Sequence, residues 1–202
     1  MRKESPSSVE RNYWTTRYHN QQTGWNIGYV STPIKAYVDQ LEDKSIKILI
    51  PGAGNAYEAE YLFQRGFEQV HVLDIAQPPL DNLLARAPNF PKAQLMQSNF
   101  FEHQGQYDLI LEQTFFCSFL PTKENRTAYA KKMYELLKPN GKLIGLWFEI
   151  SMRDKRPFGG TREEYLTYFE PYFQVQTFEQ CYNSIEPRQG NELFGIFKKV
   201  NE

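Results

Sequence analysis

The sequence has little cysteine, almost no net charge and no long apolar run, and each shortage removes a class of answer. Two cysteines in 202 residues, Cys117 and Cys181, cannot make a disulfide framework or a four-thiolate zinc site. A reducing compartment fits, and no metal site is expected. The 23 Lys+Arg against 24 Asp+Glu leave a formal net charge of −1, which gives no broad cationic field for a phosphate backbone, so no nucleic-acid partner is expected. No stretch approaches the roughly 20 apolar residues of a membrane-spanning helix; the densest are 46–50 and 143–150. The first eight residues, MRKESPSS, carry two cations without the apolar block that a secretory signal places after them, so a soluble, cytoplasmic chain with a frayed first segment and no membrane partner is expected. Nothing in the composition indicates an oligomeric state.

Aromatics, by contrast, are abundant at 15% of residues, which suits a core of large rings or the enclosure of something flat or cationic. At about 150 residues per domain, 202 residues are expected to form one domain, 1–202, whose segment 1–42 includes a first helix. Thr32-Pro33 has the form of an N-cap followed by proline at the first helical position, and Ile34, Tyr37, Val38 and Leu41 then follow helical spacing. Residues 46–50, rich in branched side chains, run into Pro51-Gly52-Ala53-Gly54 and read as a buried strand ending in a glycine turn. A helix with Ala59, Leu62 and Phe63 on one face should stop at Gly66, and 70–74 form the next strand. The rhythm continues through a helix around Leu80, Leu83, Leu84 and Ala87, strands at 93–96 and 107–111, a long helix carrying Ala130, Met133 and Leu137, and a strand at 142–148.

Strands alternating with helices of this length predict parallel pairing by right-handed crossovers. Thr161-Arg162-Glu163-Glu164 predicts a capping box for a helix ending before Pro171. Segments 173–180 and 192–200 have no helix-sized insert between them and should pair antiparallel. The predicted fold class is α/β: an open, mostly parallel seven-stranded sheet with helices on both faces and a C-terminal antiparallel strand pair.

Gly52 and Gly54 stand where strand becomes helix, so backbone N–H groups and a helix N-terminus can approach a ligand there. Asp74 ends the neighbouring strand, and a carboxylate at that place can accept hydrogen bonds from both hydroxyls of a ribose. A nucleoside-containing ligand follows from the joint spacing. A dinucleotide fingerprint wants a third glycine at position 57, where this chain has Tyr57, which ranks an NAD-dependent oxidoreductase low. S-adenosylmethionine carries a sulfonium and no phosphate, so it asks for ring faces and acceptors rather than basic residues.

Residues 46–58 (IKILIPGAGNAYE), 107–117 (YDLILEQTFFC) and 128–146 (AYAKKMYELLKPNGKLIGL) resemble class I S-adenosylmethionine-dependent methyltransferases. With Tyr13-Trp14, Gly24-Trp25, Thr32-Pro33 and 184–199 (SIEPRQGNELFGIFKK), the chain is similar more narrowly to the thiopurine S-methyltransferase family and its plant-type thiol, thiocyanate and halide methyltransferases, over about residues 12–200. The resemblance implies transfer of a methyl group from S-adenosylmethionine to a small soft nucleophile. It implies that Trp14, Tyr18 and Trp25 belong to an aromatic lid, that Gly52 and Gly54 line the methionine part, and that Asp74 holds the ribose. Asn99 and Phe100 would hold the adenine, and Glu112 and Gln113 would border the methionine end. Tyr18 stands where plant relatives carry tryptophan, and Asn99 where relatives commonly carry aspartate.

Phe115, Phe116 and Phe119 follow the fourth strand, where an aromatic slot suits a polarisable acceptor. The resemblance also implies that Tyr182 and Arg188 lie in a C-terminal segment covering the pocket mouth, with Arg188 able to anchor an anion through its planar fork. No general base stands out among His19, His71 and His103, which fits an acceptor that arrives ionised, and Cys117 reads as a buried thiol rather than a nucleophile. An O- or N-methyltransferase, which would need a base, and a non-catalytic S-adenosylmethionine-binding module remain the alternatives.

Overall fold

The computed structural model describes residues 6–200; the first five residues of the segment expected to fray lie outside it. Seven strands form one sheet: β1 (Lys47–Pro51), β2 (Gln69–Asp74), β3 (Leu95–Gln97), β4 (Tyr107–Gln113), β5 (Leu137–Phe148), β6 (Phe173–Gln180) and β7 (Glu192–Lys199). Their order is β3-β2-β1-β4-β5-β7-β6, with β3, β2, β1, β4 and β5 parallel and β7 antiparallel to both β5 and β6. Six α-helices accompany them: α1 (Pro6–His19), α2 (Thr32–Val38), α3 (Tyr57–Gln64), α4 (Gln77–Arg86), α5 (Lys123–Leu136) and α6 (Arg162–Phe169).

Alternation along the strands splits the core into two layers. Ile48, Ile50, Val70, Val72, Leu109 and Leu111 turn toward Ile34 and Val38 of α2, Ala59 and Leu62 of α3, and Leu80 and Leu83 of α4. Leu49, Leu73, Ile110, Leu143 and Trp147 turn the other way, toward Tyr129 and Met133 of α5 and Tyr165 and Phe169 of α6. Strands buried on both faces read as near-continuous apolar runs, which is why β1 and β5 were visible in the sequence.

The differences from expectation lie at element ends. The segment 1–42 carries two helices; α1, absent from the sequence expectation, has no apolar stripe of its own, and Val9 and Tyr13 on it are exposed. Ser31, not Thr32, is the N-cap of α2, and its hydroxyl is turned away from the helix to donate to Gln113 Oε1 at 2.6 Å. Leu137 leaves the helix and opens β5, pairing with Tyr107 before a bulge resets the register at Leu109–Lys142. The third strand begins at Leu95 rather than Ala93, because residues 92–94 form a 3₁₀ turn. The capping box is half formed: Thr161 Oγ1 receives the Glu164 N–H at 3.2 Å, while the Glu164 carboxylate pairs with Arg126 instead of reaching back.

Candidate active site

Ligands in open α/β sheets bind outside the carboxyl ends of the strands, where the strand order reverses. In this chain β1 lies between β2 and β4, and the ends of those three strands and β5 open into a cleft of about 880 Å³. After β1 the backbone enters the left-handed region at Gly52 (φ +57), Gly54 (φ +54) and Ala56 (φ +54) before α3 begins, with the N–H groups of Ala53 and Ala56 taken by the Leu73 and Ala53 carbonyls. Only glycine takes that conformation freely, and at Gly52 a side chain is also excluded by space: a Cβ there would fall inside the Phe115 ring.

Asp74 closes the floor. Its Oδ2 receives the Gly54 N–H at 2.9 Å and its Oδ1 receives the Ala76 N–H at 2.9 Å, so one carboxylate ties the loop after β1 to the start of α4. Burial pushes its carboxyl up to about 6 against the pull of those N–H groups. Glu58, in the first turn of α3, lines the same end and accepts the Ser31 N–H at 3.1 Å; burial raises its carboxyl too. The sequence expectation did not include Glu58, whose position one turn past the glycine loop was its available signal.

The segments around Asp74 that line the cleft, 50–58, 73–75 and 98–101, contribute Asp74 and Glu58 and no Lys or Arg. That donor set fits a phosphate-free nucleoside bearing positive charge. It does not suit a pyrophosphate.

Most of the expected residues meet here: Trp14, Tyr18, Trp25, Gly52, Gly54, Asp74, Asn99, Phe100, Gln113, Phe115 and Arg188 all line the cleft. The aromatic lid is a chain of edge-on rings, Trp14 to Trp25 with centroids 5.3 Å apart and Tyr18 to Trp25 at 5.7 Å, and Trp25 Nε1 donates to Tyr18 Oη at 3.4 Å. The Tyr18 hydroxyl thus serves as an acceptor for its neighbour. Burial, and next the Asp74 charge, raise the Tyr18 phenol. The Asn99 amide joins its own turn to α1: Oδ1 receives the Phe101 N–H at 3.0 Å, and Nδ2 donates to Glu102 Oε1 and to Ser7 Oγ on α1.

Two arginines fasten the lid. Arg188 donates through Nη1 to Glu192 Oε1 at 3.2 Å and through Nη2 to the Trp25 carbonyl at 2.9 Å, while Ser184 holds the other Glu192 oxygen. Arg156 clasps both Glu10 oxygens on α1 at 2.9 and 3.0 Å, donates to the Ser118 carbonyl, and stacks beside Tyr13 and Trp14. Arg156 joins segments far apart in the chain, and no local pattern announces it.

Three expected residues stand elsewhere. Glu112 shares the face of Ile110, turned toward α5 and α6, and is 0% exposed, so it does not border the cleft. Phe116 is packed between Tyr129 and Tyr165 with the Arg126 guanidinium over its ring, which makes it core rather than slot. Tyr182 is 88% exposed, follows the end of β6 and points to solvent. Phe119, in contrast, does line the cleft, with its ring 4.8 Å from that of Phe115. The histidines lie away from the cleft lining; His71 and His103 both pack on Tyr107 at the other end of the sheet. Cys117 lines the cleft as a buried thiol donating to the Thr114 carbonyl, and burial pushes its pKa up, away from the thiolate a nucleophile needs. Among the described residues no cluster could hold a metal ion, and no helix is long and apolar enough to cross a membrane.

A family model described as Thiopurine S-methyltransferase (TPMT) matches residues 9–202. Thiocyanate methyltransferase 1 of Brassica oleracea is 30% identical over 204 residues, which cover 97% of this chain and 88% of that protein. Probable thiol methyltransferase 2 of Arabidopsis thaliana is 28% identical over 193 residues, covering 92% and 84% respectively. Among solved structures, a 1,6-didemethyltoxoflavin-N1-methyltransferase of Burkholderia thailandensis with its substrate and S-adenosylhomocysteine bound is similar at TM-score 0.77 and 18% identity, over 100% of this chain and 93% of that one. Magnesium protoporphyrin IX methyltransferase of Synechocystis with S-adenosylmethionine bound gives TM-score 0.71 at 13% identity, over 99% and 100%. Identities that low speak for the fold alone. With its own family's model matched along nearly its whole length, the chain belongs to the thiopurine S-methyltransferase family and is an S-adenosylmethionine-dependent methyltransferase.

Proposed function

We propose that the acceptor is a small soft anion, a thiolate, sulfide, thiocyanate or halide, methylated inside the aromatic end of the cleft. The observation that carries this is the division of the cleft into two chemistries. Segments 50–58, 73–75 and 98–101 offer the carboxylates of Asp74 and Glu58 and no Lys or Arg of their own, with the Arg188 charge reaching Glu58, whereas the rest of the lining adds Phe115, Phe119 and Phe148 with Arg156, Lys155 and Arg188. The curated relatives, named for thiocyanate and thiol methylation, support the same acceptor class.

When bound, S-adenosylmethionine supplies a methyl group on a sulfonium, and its in-line displacement removes that positive charge. Asp74 would hold the ribose through the lone pairs left on its two oxygens, and Asn99 with Phe100 would border the adenine, the ring contact coming from Phe100. Gly52, Gly54 and Gln113 would flank the methionine part beneath Trp14, Tyr18 and Trp25. The phenylalanine walls strip water from an incoming anion, which raises its nucleophilicity, and alignment within the cleft does the rest. An acceptor that arrives ionised needs no proton taken from it, consistent with a cleft lining that holds no histidine.

Purified protein incubated with methyl-labelled S-adenosylmethionine and a panel of aryl and alkyl thiols, sulfide, thiocyanate and iodide tests this. Labelled thioether, methyl thiocyanate or methyl iodide is the expected product. Label appearing instead only on hydroxyl or amine acceptors, with a pH profile demanding a base, would overturn it.

A further inference from the structure

We propose that Glu112 is a positioning residue for cofactor binding: its buried carboxylate grips the turn after β4 from beneath and so seats the Phe115 ring on Gly52, locking the ends of β1 and β4 together, an inference that rests on the cofactor assignment above. Glu112 Oε1 receives two backbone N–H groups, from Phe115 at 2.6 Å and from Phe116 at 2.9 Å. Between acceptor and donors the chain passes through Thr114 at φ +56, a left-handed conformation that a β-branched residue keeps only where its surroundings impose it. The Thr114 N–H to the Leu146 carbonyl at 3.3 Å and the Cys117 thiol to the Thr114 carbonyl at 2.9 Å hold the same turn from the sides.

The turn delivers Phe115 to the one spot where Gly52 has left room for a ring. A carboxylate in this place is a poor choice for stability alone, because its second oxygen, Oε2, is buried without a hydrogen-bond partner among the described residues. Its two N–H contacts are what the residue is for, and through them a side chain outside the cleft fixes the cleft's wall.

The groups around it are Glu192 on β7, whose charge opposes ionisation of Glu112, Arg188, which pairs with Glu192, the Cys117 thiol, and the phenols of Tyr129 on α5 and Tyr165 on α6. Burial outweighs all of these and pushes the Glu112 carboxyl up to about 8. A raised value means that the folded turn favours the neutral carboxyl, so the hold on the turn weakens as pH rises through that value.

The test is calorimetric binding of S-adenosylhomocysteine, with the cofactor KM and kcat, for wild type, Glu112→Gln, Glu112→Ala, Gly52→Ala, Phe115→Ala and the Gly52→Ala/Phe115→Ala double variant, between pH 6.5 and 9. Glu112→Ala should weaken S-adenosylhomocysteine tenfold or more. Glu112→Gln, which keeps an acceptor oxygen, should stay within a few fold of wild type at pH 6.5 and lack the fall in affinity that wild type shows between pH 7 and 9. Gly52→Ala should cost less in the Phe115→Ala background than alone, since the clash is gone; this comparison leaves Glu112 in place and serves even where Glu112→Ala does not fold. Wild-type affinity in Glu112→Ala, a wild-type pH profile in Glu112→Gln, or additive effects of the Gly52 and Phe115 substitutions would each overturn the assignment. A wild-type protein that does not bind S-adenosylhomocysteine would instead remove the cofactor assignment on which it rests.

Discussion

Asp74→Asn changes one carboxylate oxygen to NH₂ with almost no change of shape, and the structure separates its effect on the cofactor from its effect on the fold. In the native site each oxygen already receives one backbone N–H, from Gly54 and Ala76 at 2.9 Å. Whichever way the amide turns, one N–H faces a donor, and one hydroxyl of a bound ribose loses a charged acceptor. A hydrogen bond to a charged group is worth about 1.5–3 kcal/mol and each 1.4 kcal/mol is tenfold, so affinity for S-adenosylhomocysteine should fall by roughly 10- to 150-fold.

Stability should move much less. Burial lifts the Asp74 carboxyl from 3.8 to about 6, and about two units correspond to about 3 kcal/mol against the ionised form. Removing the charge therefore offsets the roughly 1–3 kcal/mol that the orphaned N–H costs, and the melting midpoint of the unliganded chain at pH 7.5 should shift by only a few degrees. The sign with pH follows from the folded value lying above the unfolded one. This group favours the folded state below 3.8 and loses that contribution as pH climbs through about 6. The ribose wants the ionised form, so wild-type affinity should drop as pH falls below about 6, a drop that Asp74→Asn should lack. Calorimetric titrations from pH 5 to 8 beside thermal scans decide it; an Asp74→Asn dissociation constant within threefold of wild type at pH 7.5 would mean the ribose is not held here.

Arg188→Met strands Glu192, which is 1% exposed, without its cation, at about 3–5 kcal/mol; denaturant unfolding should show that loss, and equal stability would refute the pairing. Arg156→Ala breaks a contact whose Glu10 partner is 45% exposed, so it should cost less than about 1 kcal/mol, yet stopped-flow release of S-adenosylhomocysteine should quicken because α1 is no longer fastened. Both cysteines are buried, and the native chain should show no reaction with a disulfide reagent on the minutes scale, with two thiols appearing on denaturation; rapid native labelling would contradict the packing. Tyr182→Ala should leave kcat and both KM values unchanged, and a raised acceptor KM would return that side chain to the site.

The βαβα order and the terminal strand pair were legible because a strand buried on both faces must be apolar throughout and a crossover helix must be apolar on one stripe. Gly52, Gly54 and Asp74 were legible because glycines at a strand-to-helix turn and an acid at the next strand end are local signals with a geometric reason. Glu112 was misplaced although the information was present: it has the same strand parity as Ile110, and parity alone sends it under α5. Phe116 differs from Phe115 by one residue in a turn whose left-handed Thr114 no pattern reveals, so which ring enters the cleft could not be read. Helix α1 escaped notice because its aromatics face a cleft and an arginine rather than an apolar core, and its partner Arg156 is 146 residues from Glu10.

The two arginine fastenings also have a consequence for biosynthesis. Glu10 meets Arg156, and the Trp25 carbonyl meets Arg188, 163 residues further on. The Arg188 fastening in turn leans on Glu192 in the last strand. A nascent chain can lay down its glycine turn and Asp74 early, but the roof above them gains its first grip only with Arg156 and its second only with Arg188 and β7. A chain truncated before β7 would therefore keep the Glu10–Arg156 fastening and lose the support that Glu192 gives Arg188.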